Sequence, residues 1–236
     1  MVAPYFKIES FSANDGPGIR MVIFLTGCPY RCIYCHNPEC WAKNNKKTIS
    51  VEKIINDFMK NKKFYMNGGI TLSGGEPLVH YDFCANIAKK CYENNINLAI
   101  DTCGYHKKLS DYDIFVKYNV LFLIDIKHTI EKFHKIITSK SSVLELKLIN
   151  YLENKKTKYW IRFVYVKGYT DQFENISNIK EIIKNLKYLI RFDVLPLHLF
   201  ASDKYESLGY KYQITKDNVP TKEEVKNLVN NLKIKP

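Results

Sequence analysis

The sequence predicts an α/β fold built on a parallel sheet, and three observations support this prediction. Six short apolar runs, rich in Ile, Val and Phe, alternate with helix-like stretches between residues 19 and 198, as expected of strands that are buried on both faces. The 236 residues, 46% of them hydrophobic, suit one large domain over residues 1–236. Chemically distinctive residues follow each apolar run, and this placement favours a barrel over an open sheet.

The strand and helix boundaries follow from the apolar patterns. Strands are predicted at 19–25, 69–73, 97–102, 120–126, 159–166 and 190–197. Helices are predicted at 51–64, 79–94, 109–118, 130–138, 142–154, 172–187 and, near the C-terminus, about 221–233. Ser50 and Pro77 are typical of residues that begin a helix. Parallel strands joined by helices require right-handed crossovers.

The composition and charge of the chain disfavour several classes of protein. The formal net charge is +12, but only four of the 36 basic residues are arginine, and the lysines are scattered among asparagines. This distribution indicates a compositional bias rather than a nucleic-acid site, although a basic surface attracts acidic protein partners. The sequence shows no run of about 18 apolar residues and no signal peptide. An odd number of cysteines, seven, favours free thiols in a reducing cytoplasm.

Three closely spaced cysteines, Cys28, Cys32 and Cys35, are the strongest chemical signal. A structural zinc site takes four ligands, and His36, adjacent to Cys35, is awkwardly placed to be the fourth. A 4Fe–4S cluster takes one thiolate per iron, so three cysteines would leave one iron open to a ligand. Pro29 and the polar neighbours argue against the alternative, one face of a core helix.

The ends of the next three strands carry glycines and acids. Adjacent glycines, as at Gly74 and Gly75, either form a tight turn or allow a ligand to approach the backbone closely. Glu76 either accepts hydrogen bonds from a ligand amine or interacts with the amino-terminal dipole of a helix. Asp101 and Asp125 end neighbouring strands. Two carboxylates in one cavity require a cation between them, and the alternative is a surface ion pair for each.

Further polar side chains lie at or beside the strand ends. Lys127 shares a strand face with Asp125, and either neutralises it or binds a ligand carboxylate. Arg162 falls within an apolar strand and needs a partner, either an anionic ligand group or an acidic strand-end residue. His198 follows the sixth strand, where it is either a core histidine or part of the same site. Asp15, in the turn DGPGIR before the first strand, is placed to face a partner.

These motifs resemble those of a known family. The run CPYRCIYC, with an aromatic residue before its third cysteine, is similar to the motif of the radical S-adenosylmethionine (SAM) superfamily. Within that superfamily, the chain resembles the activases of glycyl radical enzymes almost from end to end. The similarity rests on DGPGIR, GCPYRCIYCHNPECW, SGGEPL, DTCGY, DIKH, WIRFVYVKGYTD, and LPLH followed by KYESLGYKY.

The resemblance implies a fold, two cofactors and a reaction. The fold would be the partial (β/α)6 barrel of the radical SAM type, in one domain with a C-terminal helix. A 4Fe–4S cluster would sit on the three cysteines, and its open iron would chelate the amino and carboxylate groups of SAM. One electron from the reduced cluster would cleave SAM to a 5′-deoxyadenosyl radical. That radical would remove a hydrogen atom from one glycine of the protein substrate, expected to be pyruvate formate-lyase.

The resemblance also assigns roles to residues of this sequence. The cluster ligands would be Cys28, Cys32 and Cys35. SAM would be bound by Tyr34, Cys35, His36, Gly74, Gly75, Glu76, Asp125, Ile126, Lys127, Arg162 and His198. A monovalent cation, Na+ or K+, would be held by Asp101, Thr102 and Asp125. Asp15 would contact the glycine loop of the partner, and no side chain would need to act as an acid or a base, because the cofactors carry the chemistry.

The implied partners are a glycyl radical enzyme as substrate and a flavodoxin or ferredoxin as electron donor. The chain itself would be a monomer that binds neither nucleic acid nor a membrane. Residues 36–73, with the single Cys40, leave no room for the ferredoxin-like insertion of several other activases. The stretch LFASDKYESLGYKY after His198 departs from the family pattern. Alternatives are an activase of another glycyl radical enzyme, a radical SAM enzyme for a small molecule or RNA base, and a zinc-stabilised nucleic-acid-binding module.

Overall fold

The computed structural model describes residues 1–43, 47–105, 108–140 and 144–232. The chain divides into two compact units, one formed by 1–29 with 39–123, and the other by 30–38 with the residues from 124 onward. The predicted boundaries of one domain over 1–236 stay a prediction. In the described part of the chain, no helix is both long and apolar enough to cross a membrane.

The first unit holds a mainly parallel sheet. Its complete strands, among the described residues, are β1 (Val2–Ser12), β2 (Arg20–Leu25), β3 (Thr48–Ser50), β4 (Gly69–Gly74) and β5 (Asn97–Thr102). Their order in the sheet is β3-β1-β2-β4-β5. Strands β2, β4 and β5 run parallel, whereas β1 is antiparallel to both of its neighbours. A further strand, β6 (Leu121–Ile126), begins in this unit and ends in the other.

The helices of the first unit are shorter than predicted. They are α1 (Val51–Lys60), α2 (Tyr81–Glu93) and α3 (Asp113–Lys117), with 3₁₀ turns at 38–40, 62–64, 77–80 and 109–112. Ser50 caps α1, because its hydroxyl accepts a hydrogen bond from Lys53 N at 3.1 Å, which satisfies one unpaired amide of the first turn. Pro77 opens a 3₁₀ turn, so the α-helix predicted from residue 79 begins at Tyr81.

The second unit contains parallel strands and most of the remaining helices. Strands β7 (Tyr159–Tyr165) and β8 (Leu189–Pro196) pair in parallel. The helices are α4 (Glu131–Thr138), α5 (Leu144–Asn154), α6 (Phe173–Lys184), α7 (Ser202–Ser207) and α8 (Lys222–Leu232), with a 3₁₀ turn at 216–218. Helices α5 and α8 match predictions whose outer residues, 142–143 and 233, lie outside the described residues.

The predicted α/β class and all six predicted strands are confirmed, each strand end within one residue. Two strands, β1 and β3, were not predicted, and they add an antiparallel edge to the predicted parallel sheet. Strand β1 contains Pro4 and is mostly exposed or half-buried, so it lacks the apolar run that marks the others, and β3 has only three residues. Helix α7 was also missed.

One buried arginine joins the amino-terminal ends of the parallel strands in the first unit. Arg20 is fully buried, and it donates to Thr71 Oγ1 at 2.6 Å and to Asn97 Oδ1 at 2.9 Å. It also donates to the carbonyl oxygens of Ile70 and Pro17. Burial lowers the pKa of Arg20 to about 10, so the side chain stays charged at neutral pH. The starts of β2, β4 and β5 are therefore held by one cation.

The same arginine explains the glycines of the DGPGIR turn. At Gly16, where φ is +127°, a Cβ atom would lie 2.8 Å from Arg20 Cδ. At Gly18, where φ is +69°, a Cβ atom would lie 2.2 Å from Asn67 O. Both positions therefore exclude a side chain, for steric reasons and because positive φ favours glycine. The turn is closely packed, and the position of Asp15 within it is fixed.

Replacing Arg20 by Met is expected to lower the free energy of unfolding of the apo-protein by about 3 kcal/mol, because several buried oxygens lose their donor. Urea denaturation followed by circular dichroism measures the change. Arg191→Met is the matched control: this arginine is 56% exposed, so its loss is expected to cost less than about 1 kcal/mol. Equal losses for the two variants would show that the Arg20 contacts do not stabilise the fold.

Candidate active site

Cys28 lies in the first unit, directly beyond β2. The chain turns at Gly27, where φ is +100°. Two backbone hydrogen bonds hold the turn, from Gly27 N to Cys40 O at 2.7 Å and from Cys28 N to Trp41 O at 3.3 Å. Cys40 is fully buried in an apolar cluster, so it serves as an anchor for this turn. The position of Cys28 is therefore set by a segment that follows it in the chain.

Cys32 and Cys35 lie in the second unit, on a loop attached to helix α4. The backbone N–H groups on either side of Cys32 donate to the last two carbonyls of α4, at 2.9 and 3.0 Å. A hydrogen bond from Cys35 N to Cys32 O, at 3.0 Å, closes a turn between the two cysteines. None of the seven cysteines forms a disulfide, and the three predicted ligands are partly exposed whereas the other four are buried.

The glycine pair after β4 is required by packing. A Cβ atom at Gly74 would lie 2.4 Å from Leu25 O, and one at Gly75 would lie 2.3 Å from Gly27 O. Gly75 N donates to Leu25 O at 2.8 Å. Glu76 N donates to Gly27 O, also at 2.8 Å. The turn after β4 is therefore pressed against the turn after β2, at a separation that only glycine permits.

The Glu76 carboxylate is buried and joins the ends of β4 and β5. It is 1% exposed, and it accepts hydrogen bonds from Leu78 N at 3.0 Å and Thr102 Oγ1 at 2.8 Å. A further bond comes from Cys103 N at 2.9 Å. Burial raises the pKa of Glu76. The contact with Leu78 N is the helix-start interaction that the sequence allowed, whereas the contacts with β5 were not predicted.

Asp101 lies beside this network at the end of β5. Ser73 Oγ, at the end of β4, donates to Asp101 Oδ2 at 2.7 Å. Asp101 is partly exposed, whereas Thr102 is buried. The structure therefore brings together Ser73, the glycine pair, Glu76 and the Asp101–Thr102 strand end, because β4 and β5 are neighbouring parallel strands.

Asp125 is held between two cationic side chains in the second unit. Its Oδ2 accepts a hydrogen bond from Lys127 Nζ at 2.7 Å, and its Oδ1 accepts one from Arg162 Nε at 2.8 Å. All three side chains are less than a fifth exposed, and the intervening Ile126 is fully buried. Burial alone would raise the pKa of Asp125, but Arg162 and Lys127 lower it to about 2. Of the two partners predicted for Arg162, the acidic strand-end residue is observed.

These three groups leave one positive charge in excess. One carboxylate faces one ammonium and one guanidinium group. Burial favours the neutral amine, but Asp125 raises the pKa of Lys127 well above its ordinary value. Taken by themselves, these three groups therefore sum to a charge of +1 at neutral pH. A partly buried excess cation favours the binding of an anionic group such as a carboxylate.

Two histidines lie together in the second unit. The rings of His36 and His198 meet edge to face, with centroids 3.9 Å apart and planes at 87°. Burial lowers the pKa of each ring, so both are mainly neutral at pH 7. Tyr34 is only 4% exposed, and its hydroxyl has no hydrogen-bond partner among the described residues. The structure thus places a neutral histidine pair and an unsatisfied buried hydroxyl on or near the cysteine loop.

Two residues that the sequence did not assign contact the cysteine loop from helix α7. Lys204 Nζ donates to His36 O at 2.7 Å. The Tyr205 hydroxyl donates to Cys32 O at 3.3 Å. These residues belong to the stretch that departs from the family pattern after His198. A helix of six residues is too short to show apolar periodicity, so the apolar pattern carried no signal of their role.

Asp15 lies at the opposite end of β2 from Cys28. Its carboxylate accepts a hydrogen bond from Ser12 Oγ, and its carbonyl accepts one from Thr71 Oγ1 at 2.7 Å. Ser12 pairs with Arg20 at the start of β2, whereas Cys28 follows the end of that strand. Within the first unit, the structure therefore keeps Asp15 apart from Cys28, and the contact of Asp15 with a partner protein stays a prediction.

Known proteins match nearly the whole chain. The family model of the radical SAM superfamily matches residues 22–178. A pyruvate formate-lyase-activating enzyme of Clostridium pasteurianum is 38% identical over 229 residues, or 96% of this chain and 95% of that protein. The chain belongs to the radical SAM superfamily, in the family of pyruvate formate-lyase-activating enzymes. Enzymes of that name from Streptococcus mutans and Staphylococcus epidermidis are 37% and 34% identical, over 93% of this chain and 86% and 91% of theirs.

Solved structures share the fold of this radical SAM protein. A domain of a pyruvate formate-lyase-activating enzyme from Bacteroides vulgatus has a TM-score of 0.59 at 24% identity, over 70% of this chain and 93% of that one. A radical SAM methyltransferase from Sphaerobacter thermophilus has a TM-score of 0.65 at 12% identity, over 98% and 74%. Streptococcus suis SuiB bound to S-adenosylmethionine has a TM-score of 0.62 at 20% identity, over 88% and 46%. The predicted family and fold are confirmed.

Membership of the radical SAM superfamily implies a 4Fe–4S cluster and SAM as cofactors, and the donor chemistry fits both. Three partly exposed cysteines that form no disulfide, in the Cys-x3-Cys-x2-Cys pattern, are donors of the kind that iron–sulfur clusters take. The excess positive charge at Lys127 and Arg162 suits the SAM carboxylate, and the Tyr34 hydroxyl suits a polar ligand group. In the described part of the chain, no group of three or more His, Cys, Asp or Glu side chains is arranged to hold a metal ion.

Asp125→Asn is expected to lower the free energy of unfolding of the apo-protein by about 3 kcal/mol, because Lys127 and Arg162 would remain buried without a counterion. Asp193→Asn is the control, since Asp193 pairs with an exposed arginine at 2.7 Å, and it is expected to cost less than about 1 kcal/mol. Denaturation in urea at neutral pH measures both. If Asp125→Asn is no worse than the control, the two cations do not depend on this carboxylate.

Proposed function

We propose that this chain cleaves SAM reductively with a 4Fe–4S cluster and so generates a glycyl radical on pyruvate formate-lyase. The observation that carries the proposal is the similarity, over 96% of the chain, to enzymes named as activators of that protein. The similarity extends over 229 residues, 96% of this chain and 95% of that enzyme, and is therefore not confined to the segment that holds the three cysteines. This breadth favours a shared protein substrate over a shared cofactor only.

The cluster ligands in this proposal are Cys28, Cys32 and Cys35, which leave one iron for the amino and carboxylate groups of SAM. When bound, the cluster and SAM supply a one-electron cleavage of a carbon–sulfur bond and the abstraction of a hydrogen atom. No protein side chain has to gain or lose a proton in these steps. The residues of the chain bind, orient and enclose the reactants.

Charge determines how this chain would orient SAM. Lys127 and Arg162, in excess over Asp125, bind the carboxylate of the ligand. The backbone at Gly74 and Gly75 meets its amino end. The Glu76 carboxylate contributes by holding that turn in place, since it already accepts hydrogen bonds from Leu78 N, from Thr102 Oγ1 and from both N and Sγ of Cys103.

Aromatic and apolar groups would enclose the adenosine. Tyr34, His36 and His198 line this part of the site, with the buried Ile126 behind Asp125. The neutral state of both histidines avoids repulsion with the positively charged sulfonium. Exclusion of water and close placement of the glycine α-carbon against the adenosyl carbon are then the main contributions of the protein to the rate.

A monovalent cation, Na+ or K+, is proposed at Asp101, Thr102 and Asp125. Carboxylate and carbonyl oxygens are the ligands that hard cations prefer. Asp101 is partly exposed at the end of β5, and its carboxylate accepts a hydrogen bond from Ser73 Oγ at 2.7 Å. Each oxygen of Asp125 keeps a further lone pair beyond its bond to a cationic side chain.

The partners follow from the same proposal. The substrate is the glycine loop of pyruvate formate-lyase, which Asp15 would contact. The electron donor is a flavodoxin or a ferredoxin, and the net charge of +12 favours association with such acidic proteins. The chain acts as a monomer in the cytoplasm, in anaerobic glucose metabolism, and binds neither nucleic acid nor a membrane.

The decisive experiment mixes the anaerobically reconstituted and reduced protein with SAM and purified pyruvate formate-lyase, and records electron paramagnetic resonance (EPR) spectra. We expect a glycyl-radical doublet with the wild-type chain. Cys32→Ala is expected to abolish the doublet, because one iron loses its thiolate ligand. Cys91→Ala, which removes a buried thiol outside the cysteine loop, is expected to retain it.

Two other outcomes would change the conclusion. Production of 5′-deoxyadenosine from SAM without the doublet would retain the radical chemistry and move the substrate to another glycyl radical enzyme, a small molecule or an RNA base. Absence of any cluster signal in the reconstituted wild-type protein would overturn the proposal as a whole.

Asp15→Asn is expected to raise the KM for pyruvate formate-lyase about 5-fold, since an interface charge at the rim contributes about 1 kcal/mol. Iron content and SAM affinity should stay unchanged, because Asp15 lies at the far end of β2 from Cys28. Asp57→Asn, which removes an exposed carboxylate paired with Lys53 at 2.8 Å, is the control. An unchanged KM in Asp15→Asn would show that Asp15 does not contribute to the interface with pyruvate formate-lyase.

A further inference from the structure

A buried histidine–carboxylate pair lies in the second unit, beside the cysteine loop. His134 in α4 and Glu145 in α5 are both fully buried, and His134 Nε2 lies 3.1 Å from Glu145 Oε1. The other ring nitrogen, Nδ1, lies 2.9 Å from Lys140 O. Both ring nitrogens therefore face oxygen atoms, an arrangement that favours the doubly protonated, positively charged ring. Burial alone would lower the pKa of His134, but Glu145 raises it.

This contact is an ion pair rather than a linear hydrogen bond. Among the described residues, neither His134 Nε2 nor Glu145 Oε2 has a hydrogen-bond partner of suitable geometry. The two groups are nevertheless in contact, through His134 Nε2 and Glu145 Oε1. Two opposite charges without solvent exposure stabilise each other strongly, and either one alone would be costly to bury. The pair therefore constrains the two helices that carry it.

Helix α4 supports the cysteine loop at its carboxyl end. Arg31 N donates to Thr138 O at 2.9 Å, and Ile33 N donates to Ile137 O at 3.0 Å. These two amides flank Cys32, so the backbone at this cysteine takes its position from the last two residues of α4. A shift of α4 along its axis would move Cys32 with it.

The ion pair lies one turn before that end of α4, and it also reaches Lys127. Thr138 Oγ1 donates to His134 O at 2.8 Å, which connects the loop-binding end of the helix to the pair. On the other side, Glu145 Oε1 accepts a hydrogen bond from Lys127 N at 3.4 Å. Lys127 is the residue whose ammonium group binds Asp125 at 2.7 Å.

We propose that His134 and Glu145 are positioning residues, which hold Cys32 and Lys127 at a fixed separation. One ion pair thereby connects the loop that supplies a cluster ligand with the cation that meets the SAM carboxylate. Neither residue contacts a cofactor, because both side chains are enclosed by protein. The inference rests on the proposed function only for the roles of Cys32 and Lys127. A ligand that must reach both an iron and an ammonium group is sensitive to errors of about 1 Å in their separation.

Three variants test the pair. His134→Gln and Glu145→Gln each remove one charge and retain a polar side chain. The double variant His134→Met with Glu145→Met removes both charges and leaves none unpaired, so it is expected to fold even where the single variants are unstable. Glu153→Gln is the matched control, since Glu153 lies on the same helix, and its carboxylate binds backbone amides away from the site at 2.9 and 3.0 Å.

Each anaerobically reconstituted protein is compared for iron bound per chain, SAM affinity, and the EPR spectrum of the reduced cluster before and after SAM is added. We expect the pair variants to bind SAM about 10-fold more weakly, as is usual when residues behind a metal site are replaced. The spectral change on adding SAM should also be smaller, whereas Glu153→Gln should match the wild type. None of these measurements needs a protein substrate, so an error in assigning pyruvate formate-lyase would leave them intact.

Several results would overturn the proposal. One is wild-type iron content, SAM affinity and EPR spectra in the folded double variant. Another is an equal loss in Glu153→Gln, which would show that any destabilisation of α5 has the same effect. Failure of the double variant to fold would show that the ion pair stabilises the second unit as a whole and has no separate positioning role. Thermal unfolding of the apo-proteins separates these cases, because it reports stability without the cofactors.

Discussion

The burial of Asp125 with two cations is the interaction on which the rest of the site depends. Each of these groups, taken alone, would lose several kcal/mol of solvation in its partly buried position. At 2.7 and 2.8 Å, Lys127 and Arg162 compensate the carboxylate and keep one charge in excess. These three groups by themselves therefore sum to one positive charge in the folded chain, and that charge favours an anionic group nearby without any change in the protonation state of these side chains.

In the first unit the main constraints are steric, and the hydrogen bonds of two buried side chains, Glu76 and Arg20, add to them. Gly74 and Gly75 let two turns approach at distances that a Cβ atom would prevent. Glu76 then accepts backbone and side-chain hydrogen bonds at the carboxyl ends of β4 and β5. At the amino ends of the same strands, Arg20 donates to backbone carbonyls and side chains. A motif such as SGGEP thus combines a packing role with its proposed binding role, and the packing role alone is sufficient to require its glycines.

The six parallel strands were predictable because each is a short apolar run bounded by polar residues. The pairing of Lys127 with Asp125 was predictable from the two-residue period of a strand. Arg162 was correctly expected to need an acidic or anionic partner. The hydrogen bonds of Glu76 with Thr102 and Cys103 were not predictable. They join residues 26 and 27 positions apart, and they depend on how closely the turns after β4 and β5 approach each other. Strand β1 lacked the apolar contrast of a buried strand. The contacts of α7 with the cysteine loop depend on a helix too short to leave a periodic signal.

The bond from Lys204 to His36 O spans 168 residues, and this separation has a consequence for biosynthesis. The cysteine motif leaves the ribosome early, but helices α4 and α7, which hold Cys32 and the residues beside it, are translated much later. At about 5–20 residues per second, the interval between His36 and Lys204 is roughly 10–30 s. During that time the nascent chain carries its thiols on a loop that has no finished support. Delivery of iron and sulfide is therefore expected to follow the completion of the polypeptide, and the order of synthesis makes cofactor loading a late step of maturation.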